Sequence, residues 1–232
     1  MTSTKKGRVQ MRQSSPGVVK EGLPYISLGA FVTLTLAVLG WGIPTMIALV
    51  ATILTLNFFR DPERVTPQAN GLVVAPADGK IVFVGPAVDP ATGQVRTKVS
   101  IFMNVFNVHV NRTPVAGRVE TITYFPGKFL NAALDKASED NERNQFRIVD
   151  EHGHGWTVVQ IAGLVARRIV CWAEEGDVVA RGQRIGLIKF GSRVDLYLPD
   201  AYEVSVSNQQ QTCAGQTIMA KIKDIKTTTE TS

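Results

Sequence analysis

The chain has 232 residues, of which 44 % are hydrophobic, and a formal net charge of +5, enough for one ordinary domain with a sizeable core and an appendage. The basic balance suits an anionic partner, whether a lipid headgroup or nucleic acid. Two cysteines, Cys171 and Cys213, exclude a disulfide framework and are not spaced for zinc; they are expected to be buried small hydrophobes in a reducing compartment.

Residues 1–21 carry Lys5, Lys6, Arg8, Arg12 and Lys20 against Glu21 alone and read as a basic, flexible tail. No aromatic residue stands among these charges to stack on bases, so a nucleic-acid arm is disfavoured and anionic lipid fits better. From Gly22 to Phe59 there is no charged residue. This stretch is nearly twice the roughly 20 residues of a single membrane span. It is broken in the middle by Gly40-Trp41-Gly42-Ile43-Pro44, which predicts a helical hairpin, re-entrant or thinly spanning. The Lys/Arg excess before it places that end on the cytoplasmic side, and a hairpin returns the rest of the chain there. A cleaved signal peptide would be shorter and nearer the start.

Residues 60–232 change character, to short β-branched runs alternating with period two and punctuated by Gly, Pro and Asp. Strands are predicted at Gly71–Val74, Lys80–Val84, Thr97–Met103, Arg118–Tyr124, Thr157–Ile161, Arg168–Trp172, Arg184–Ile188 and Val194–Leu198, which defines a mainly β domain. Helix is suggested at Lys128–Ser138 and, with a strand as the alternative, at Ile218–Ile222. Weak repeats (Pro76-Ala77-Asp78-Gly79-Lys80-Ile81 with Pro114-Val115-Ala116-Gly117-Arg118-Val119, and Gly182-Gln183-Arg184-Ile185 with Gly215-Gln216-Thr217-Ile218) resemble the barrel-sandwich architecture of biotinyl and lipoyl carriers. That resemblance bears on fold and not on function.

The chain has no P-loop, no GxSxG elbow and no HExxH. His152 and His154, in Asp150-Glu151-His152-Gly153-His154-Gly155, read as an exposed turn and not as metal ligands, and no metal set is expected. The segment with chemical interest is Lys189-Phe190-Gly191-Ser192-Arg193-Val194-Asp195. A Gly-Ser pair between strands is by itself an ordinary turn. Yet a serine hydroxyl can attack the preceding carbonyl, and glycine neither obstructs it nor resists strained geometry. The N→O acyl shift gives an ester. Loss of the serine α-proton then expels the carboxylate by β-elimination, and hydrolysis of the dehydroalanine releases ammonia and leaves a pyruvoyl group.

Phe190-Gly191-Ser192-Arg193-Val194-Asp195-Leu196-Tyr197-Leu198-Pro199 resembles the cleavage segment of the short-chain class of phosphatidylserine decarboxylases. Three further stretches resemble the same family in order and spacing: Phe58-Phe59-Arg60-Asp61-Pro62-Glu63-Arg64, Val74-Ala75-Pro76-Ala77-Asp78-Gly79, and Phe106-Asn107-Val108-His109-Val110-Asn111-Arg112-Thr113-Pro114. The resemblance implies a proenzyme that cuts itself between Gly191 and Ser192 into a membrane-bearing β chain, 1–191, and an α chain, 192–232, which stay associated as a heterodimer or a higher oligomer. It implies that Ser192 becomes the pyruvoyl group and takes the substrate amine as a Schiff base, with neither metal nor pyridoxal phosphate. The substrate would be phosphatidylserine in the cytoplasmic membrane, the products phosphatidylethanolamine and carbon dioxide, with no nucleic acid involved.

By the same resemblance Asp78 takes the aspartate position of a self-processing Asp-His-Ser set, although Asp-Gly is also a common turn pair. His109 is the acid/base candidate for processing, decarboxylation or both. Longer members carry a second histidine whose position falls near Arg112, so the processing base stays open. Arg60 and Arg64 are candidates for a basic substrate rim or, equally, for snorkelling anchors. The competing readings are a membrane-anchored carrier or adaptor without activity, and a pyruvoyl decarboxylase acting on a soluble amino acid.

Overall fold

The computed structural model describes residues 17–127, 141–163, 168–189 and 192–223. The helix expected at 128–138, Gly191 and residues 1–16 of the basic tail lie outside the described residues. Strand β1 (Gly17–Val18) precedes helices α1 (Leu23–Val38) and α2 (Gly42–Phe58). Strands follow as β2 (Arg60–Asp61), β3 (Leu72–Val74), β4 (Gly79–Val88), β5 (Val95–Met103), β6 (Val110–Arg112), β7 (Gly117–Phe125), β8 (Arg143–Val149), β9 (Gly155–Ala162), β10 (Ile169–Cys171), β11 (Val178–Val179), β12 (Arg184–Ile188), β13 (Ser192–Leu198), β14 (Tyr202–Val204), β15 (Gln211–Thr212) and β16 (Ile218–Ile222).

The helices form the expected hairpin, and a proline in the first turn of α1 falls where no amide partner is needed. Polar atoms inside the pair are satisfied locally. The hydroxyls of Thr33, Thr35, Thr52 and Thr55 each donate to the carbonyl four residues earlier, at 2.7–2.9 Å. Such pairing is what an apolar surrounding demands. Leu28, Phe31 and Leu34 on α1, and Ile43, Ile47, Val50 and Ile53 on α2, are all more than half exposed. Lys20–Val38 is long and apolar enough to cross a membrane, whereas α2 is shorter.

The β domain is built on an eight-stranded antiparallel sheet, ordered β11-β7-β8-β9-β13-β5-β4-β15 and curled into a half-barrel, so the mainly β, barrel-sandwich-like expectation holds. Two three-stranded sheets, β10-β12-β6 and β14-β16-β3, complete it. Strand β13 lies at the centre, paired with β5 and β9. Val194, Leu196 and Leu198 enter the main core beside Ile101, Met103, Trp156 and Val158. Each such large apolar side chain contributes about 1.5–3 kcal/mol on burial. The other face of β13 buries Arg193 against Asp195 at 2.9 Å.

The internal repeat has a packing cause. Gly79 and Gly117 open β4 and β7 at equivalent places, and a Cβ there would stand 2.2 Å from the Phe102 carbonyl oxygen and 2.4 Å from that of Val149. Only glycine admits so close a backbone approach.

Three details differ from the sequence expectation, and one open choice is decided. Strand β8 reads Arg-Asn-Gln-Phe-Arg-Ile-Val and escapes a search for apolar alternation, because Asn144 and Gln145 are polar yet buried. The ambiguous Ile218–Ile222 is strand β16, held by β3 and β14. Residues 17–21, assigned from sequence to the tail, pack on the fold: Gly17 pairs with Asp61, and the Glu21 carboxylate accepts the Trp172 indole N–H at 2.8 Å. Cys171 is exposed and Cys213 half-buried, not buried as expected, since Cys171 ends β10 at the edge of its sheet.

Candidate active site

The segment after α2 fastens the hairpin to the β domain residue by residue. Phe58 lays its ring on the His109 imidazole, with centroids 4.1 Å apart. Phe59 stacks on Tyr25 at 5.7 Å. The Arg60 guanidinium donates to the carbonyls of Asn57 at 2.6 Å and Phe106 at 2.7 Å. Asp61 is fully buried between Arg184 at 2.7 Å and Arg112 at 3.4 Å. Arg112 is thus a buried cation paired with Asp61.

His109 lies just before β6 and is 1 % exposed. Its Nδ1–H donates to the Asn107 carbonyl at 2.9 Å, which fixes the neutral tautomer and leaves Nε2 as a lone pair. Nε2 has no hydrogen-bond partner among the described residues. Burial, reinforced by the positive charge of Arg60, pushes the imidazole pKa from its ordinary 6.5 to about 4, although the Asn107 bond and the Asp78 charge oppose the shift. The ring is therefore neutral at pH 7. The other two histidines, His152 and His154, sit in the turn between β8 and β9, where the Asp150 carboxylate accepts both of their backbone amides.

Ser192 opens β13 and is fully buried. It pairs with Met103 on one side and Ala162 on the other. Its hydroxyl also lacks a hydrogen-bond partner among the described residues. The topology links it to His109 twice. Strand β5 ends at Met103, and the loop from there leads to His109. Strand β12, the neighbour of β6, ends at Ile188, whose amide donates to the His109 carbonyl at 3.4 Å. Strand β12 belongs to the small sheet and β13 to the large one.

A ladder of buried amides flanks this corner and was not singled out from sequence. Gln160 donates to Asn111 at 2.8 Å, Asn144 donates to Gln160 at 3.4 Å, and the Asn111 amide reaches the Met103 sulfur at 3.6 Å. Gln160 and Ala162 share a face of β9, so the ladder runs diagonally past Ser192. Its sequence signal is polar residues at core-facing positions of otherwise apolar strands.

Asp78 and Arg64 are brought to each other and not to a surface. Arg64 grips both oxygens of Asp78, the second at 2.8 Å, with side chains 6 % and 12 % exposed. Arg64 is therefore buried and not on an exposed rim, whereas Arg60 stands at the hairpin base. The pair also holds the backbone of Ala214, whose N–H donates to Asp78 at 2.8 Å and whose carbonyl accepts from Arg64 at 2.8 Å. Removing one partner of a buried pair costs about 3–5 kcal/mol. Asp78→Ala, made on a Ser192→Ala background so that cleavage plays no part, is expected to lower stability by about that amount in a denaturant titration. An unchanged midpoint would show that Asp78 is not needed to hold this corner.

The carrier alternative needs a lysine at a hairpin tip. Lys80 lies inside β4, paired with Phe102 and Gln211, and the Lys189 ammonium lies over the Tyr25 ring at 5.3 Å.

The mainly β domain thus holds a serine and a histidine that are buried and, among the described residues, each have one polar atom without a hydrogen-bond partner. Residues 51–220 match the family model described as phosphatidylserine decarboxylase. Three curated proteins named phosphatidylserine decarboxylase proenzyme are similar over almost the whole chain. That of Nitratidesulfovibrio vulgaris is 57 % identical, covering 91 % of this chain and 97 % of its own. That of Solidesulfovibrio magneticus is 54 % identical, covering 90 % and 97 %. That of Syntrophotalea carbinolica is 47 % identical, covering 92 % and 100 %. The chain belongs to the phosphatidylserine decarboxylase family, and it is a decarboxylase.

Proposed function

We propose that this protein converts phosphatidylserine to phosphatidylethanolamine and carbon dioxide after cutting itself between Gly191 and Ser192. The observation that carries the reading is the Ser192 hydroxyl, fully buried and without a partner among the described residues at the head of the central strand. A buried polar atom left unpaired costs about 1–3 kcal/mol, and an atom that must attack its own chain explains that expense. The same residue suits a pyruvoyl group, which would sit dry between Met103 and Ala162. There it would supply an electron sink for the pair left when carbon dioxide departs.

His109 Nε2 is the acceptor for the Ser192 hydroxyl proton during cutting, since its lone pair is free and the ring is held neutral. Its low pKa also makes the protonated ring a strong acid, fit to deliver a proton to a developing carbanion. Asn111, Gln160 and Asn144 form a polar wall beside Ser192. Arg60, at the base of the hairpin, meets the lipid phosphate. Asp78 supports the corner through Arg64 and Ala214. The α chain would stay bound after cutting, because β13 lies between β5 and β9, while β15 and β16 pair with β4 and β3.

The outward apolar faces of α1 and α2 enter the cytoplasmic membrane from its inner side, the side of the basic residues that precede them. A headgroup at the bilayer surface then meets an enzyme already confined to that plane.

The test is the intact mass of the detergent-solubilised protein under denaturing conditions, paired with carbon dioxide release from phosphatidylserine. Two chains parting before Ser192, the smaller lighter by one ammonia than a serine-started peptide, are expected with turnover. A single uncut chain that still releases carbon dioxide would overturn the mechanism.

A further inference from the structure

The loop between β5 and His109 carries two bulky apolar side chains outward, where the fold gives them nothing to cover. Val105 is 46 % and Phe106 64 % exposed. Their exposure is built in by two asparagines. Asn104 Oδ1 accepts the Phe106 amide at 2.9 Å, Asn107 Oδ1 accepts the Asn104 amide at 2.9 Å, and the Asn107 amide donates to the Asn104 carbonyl at 3.0 Å. Arg60 holds the Phe106 carbonyl from the hairpin side. The tip is thus ordered before it meets anything, so contact costs little further entropy.

This tip stands beside the last turns of α2. Between them lies an apolar groove of about 250 Å³ whose walls include Leu54, Phe58, Val105 and Phe106. Phe58 is also the ring that covers His109. Leu54 belongs to the same outward apolar surface of α2 as Val50 and Ile53, and one partner must cover helix and tip together. Arg60 stands at the end of α2 on the carbonyls of Asn57 and Phe106, and Lys189 lies over the Tyr25 ring at the start of α1, basic and aromatic groups of the kind that gather at a bilayer surface.

We infer that the tip Val105–Phe106 is a third membrane-contacting element, inserted beside α2 to the depth of Leu54, about one helical turn below Phe58. This rests on the membrane placement of the hairpin proposed above. The tip presses the loop that carries His109 against the lipid, so the acid/base group follows the bilayer surface and not only the hairpin.

The test places the photoreactive residue p-benzoylphenylalanine at position 106, with Leu34 and Val95 as control positions, in vesicles of phosphatidylcholine and phosphatidylglycerol. These lipids are no substrate of the proposed reaction, so the readout survives its failure. Lipid-mass adducts are expected at 106 and 34 and not at 95. Adducts at 34 alone, or a protein cross-link at 106, would overturn the inference, and none at 34 would instead sink the membrane placement of the hairpin. In a second arm, Phe106→Asp is expected to lower the ratio of kcat/KM on phosphatidylserine vesicles to that on dispersed short-chain phosphatidylserine by about tenfold, and Phe106→Leu to restore it. A ratio unchanged by Phe106→Asp would refute the tip's role. A parent protein inactive on both substrates would refute the proposed reaction, leaving the cross-link to be read alone.

Discussion

Ser192→Ala is expected to give one uncut chain with no measurable decarboxylase activity. The variant isolates chemistry from folding. Ser192 is fully buried, and its hydroxyl has no hydrogen-bond partner among the described residues, so alanine removes an unsatisfied polar atom and leaves the packing of β13 in place. Stability is therefore expected to stay level or rise by up to about 1–3 kcal/mol. Intact mass, activity and denaturant midpoint read the three consequences separately. A cleaved, active alanine variant would end the self-processing mechanism. A grossly unstable one would mean that the hydroxyl is a structural partner and not a reserved nucleophile.

His109→Gln is expected to slow cutting or turnover by about 10²–10⁴-fold, the usual contribution of a positioned acid/base group. The pH dependence gives a sharper check. Because burial lowers the imidazole pKa to about 4, the ring is already neutral through pH 6–8, and the step that needs Nε2 should fail only as pH falls through about 4. A limb near 6.5 would mean that the ring is solvated. Stability follows with a definite sign. The unfolded chain takes up this proton near 6.5 and the folded chain only near 4, so the folded state loses ground as pH drops through that window. The loss reaches about 3 kcal/mol by pH 4. Above 6.5 neither state is protonated and the effect vanishes. Denaturant midpoints measured from pH 7 to pH 4 should show this component in the parent and not in His109→Gln; parallel curves would place His109 at the surface.

Local signals were legible where the physics is local. An uncharged stretch with a breaker in its middle can satisfy its backbone only as helices, and α1 and α2 form on either side of that breaker. The period-two search found strands in apolar, β-branched runs, β12 to the residue. It missed β8, where Asn144 and Gln145 are polar yet buried, Asn144 through its bond to Gln160 on β9. Nor could it anticipate that β10 leaves Cys171 at a sheet edge. At the site, Ser192 and His109 stood out by chemical type and by resemblance, and the structure buries both with an atom unpaired among the described residues.

The sequence by itself determined the hairpin and the β class and singled out a candidate serine and histidine, because helix period, strand period and side-chain chemistry are properties of neighbouring residues. Only the tertiary structure decided which charge meets which. Arg64 looked like a rim residue because it follows the membrane segment and an anionic substrate suits basic residues there, yet the fold buries it on Asp78 and on Ala214, 150 positions away. Arg112 likewise meets Asp61 across 51 positions. Ion pairing and desolvation depend on distances set by chain crossings, and those distances are also what make His109 neutral and Ser192 dry.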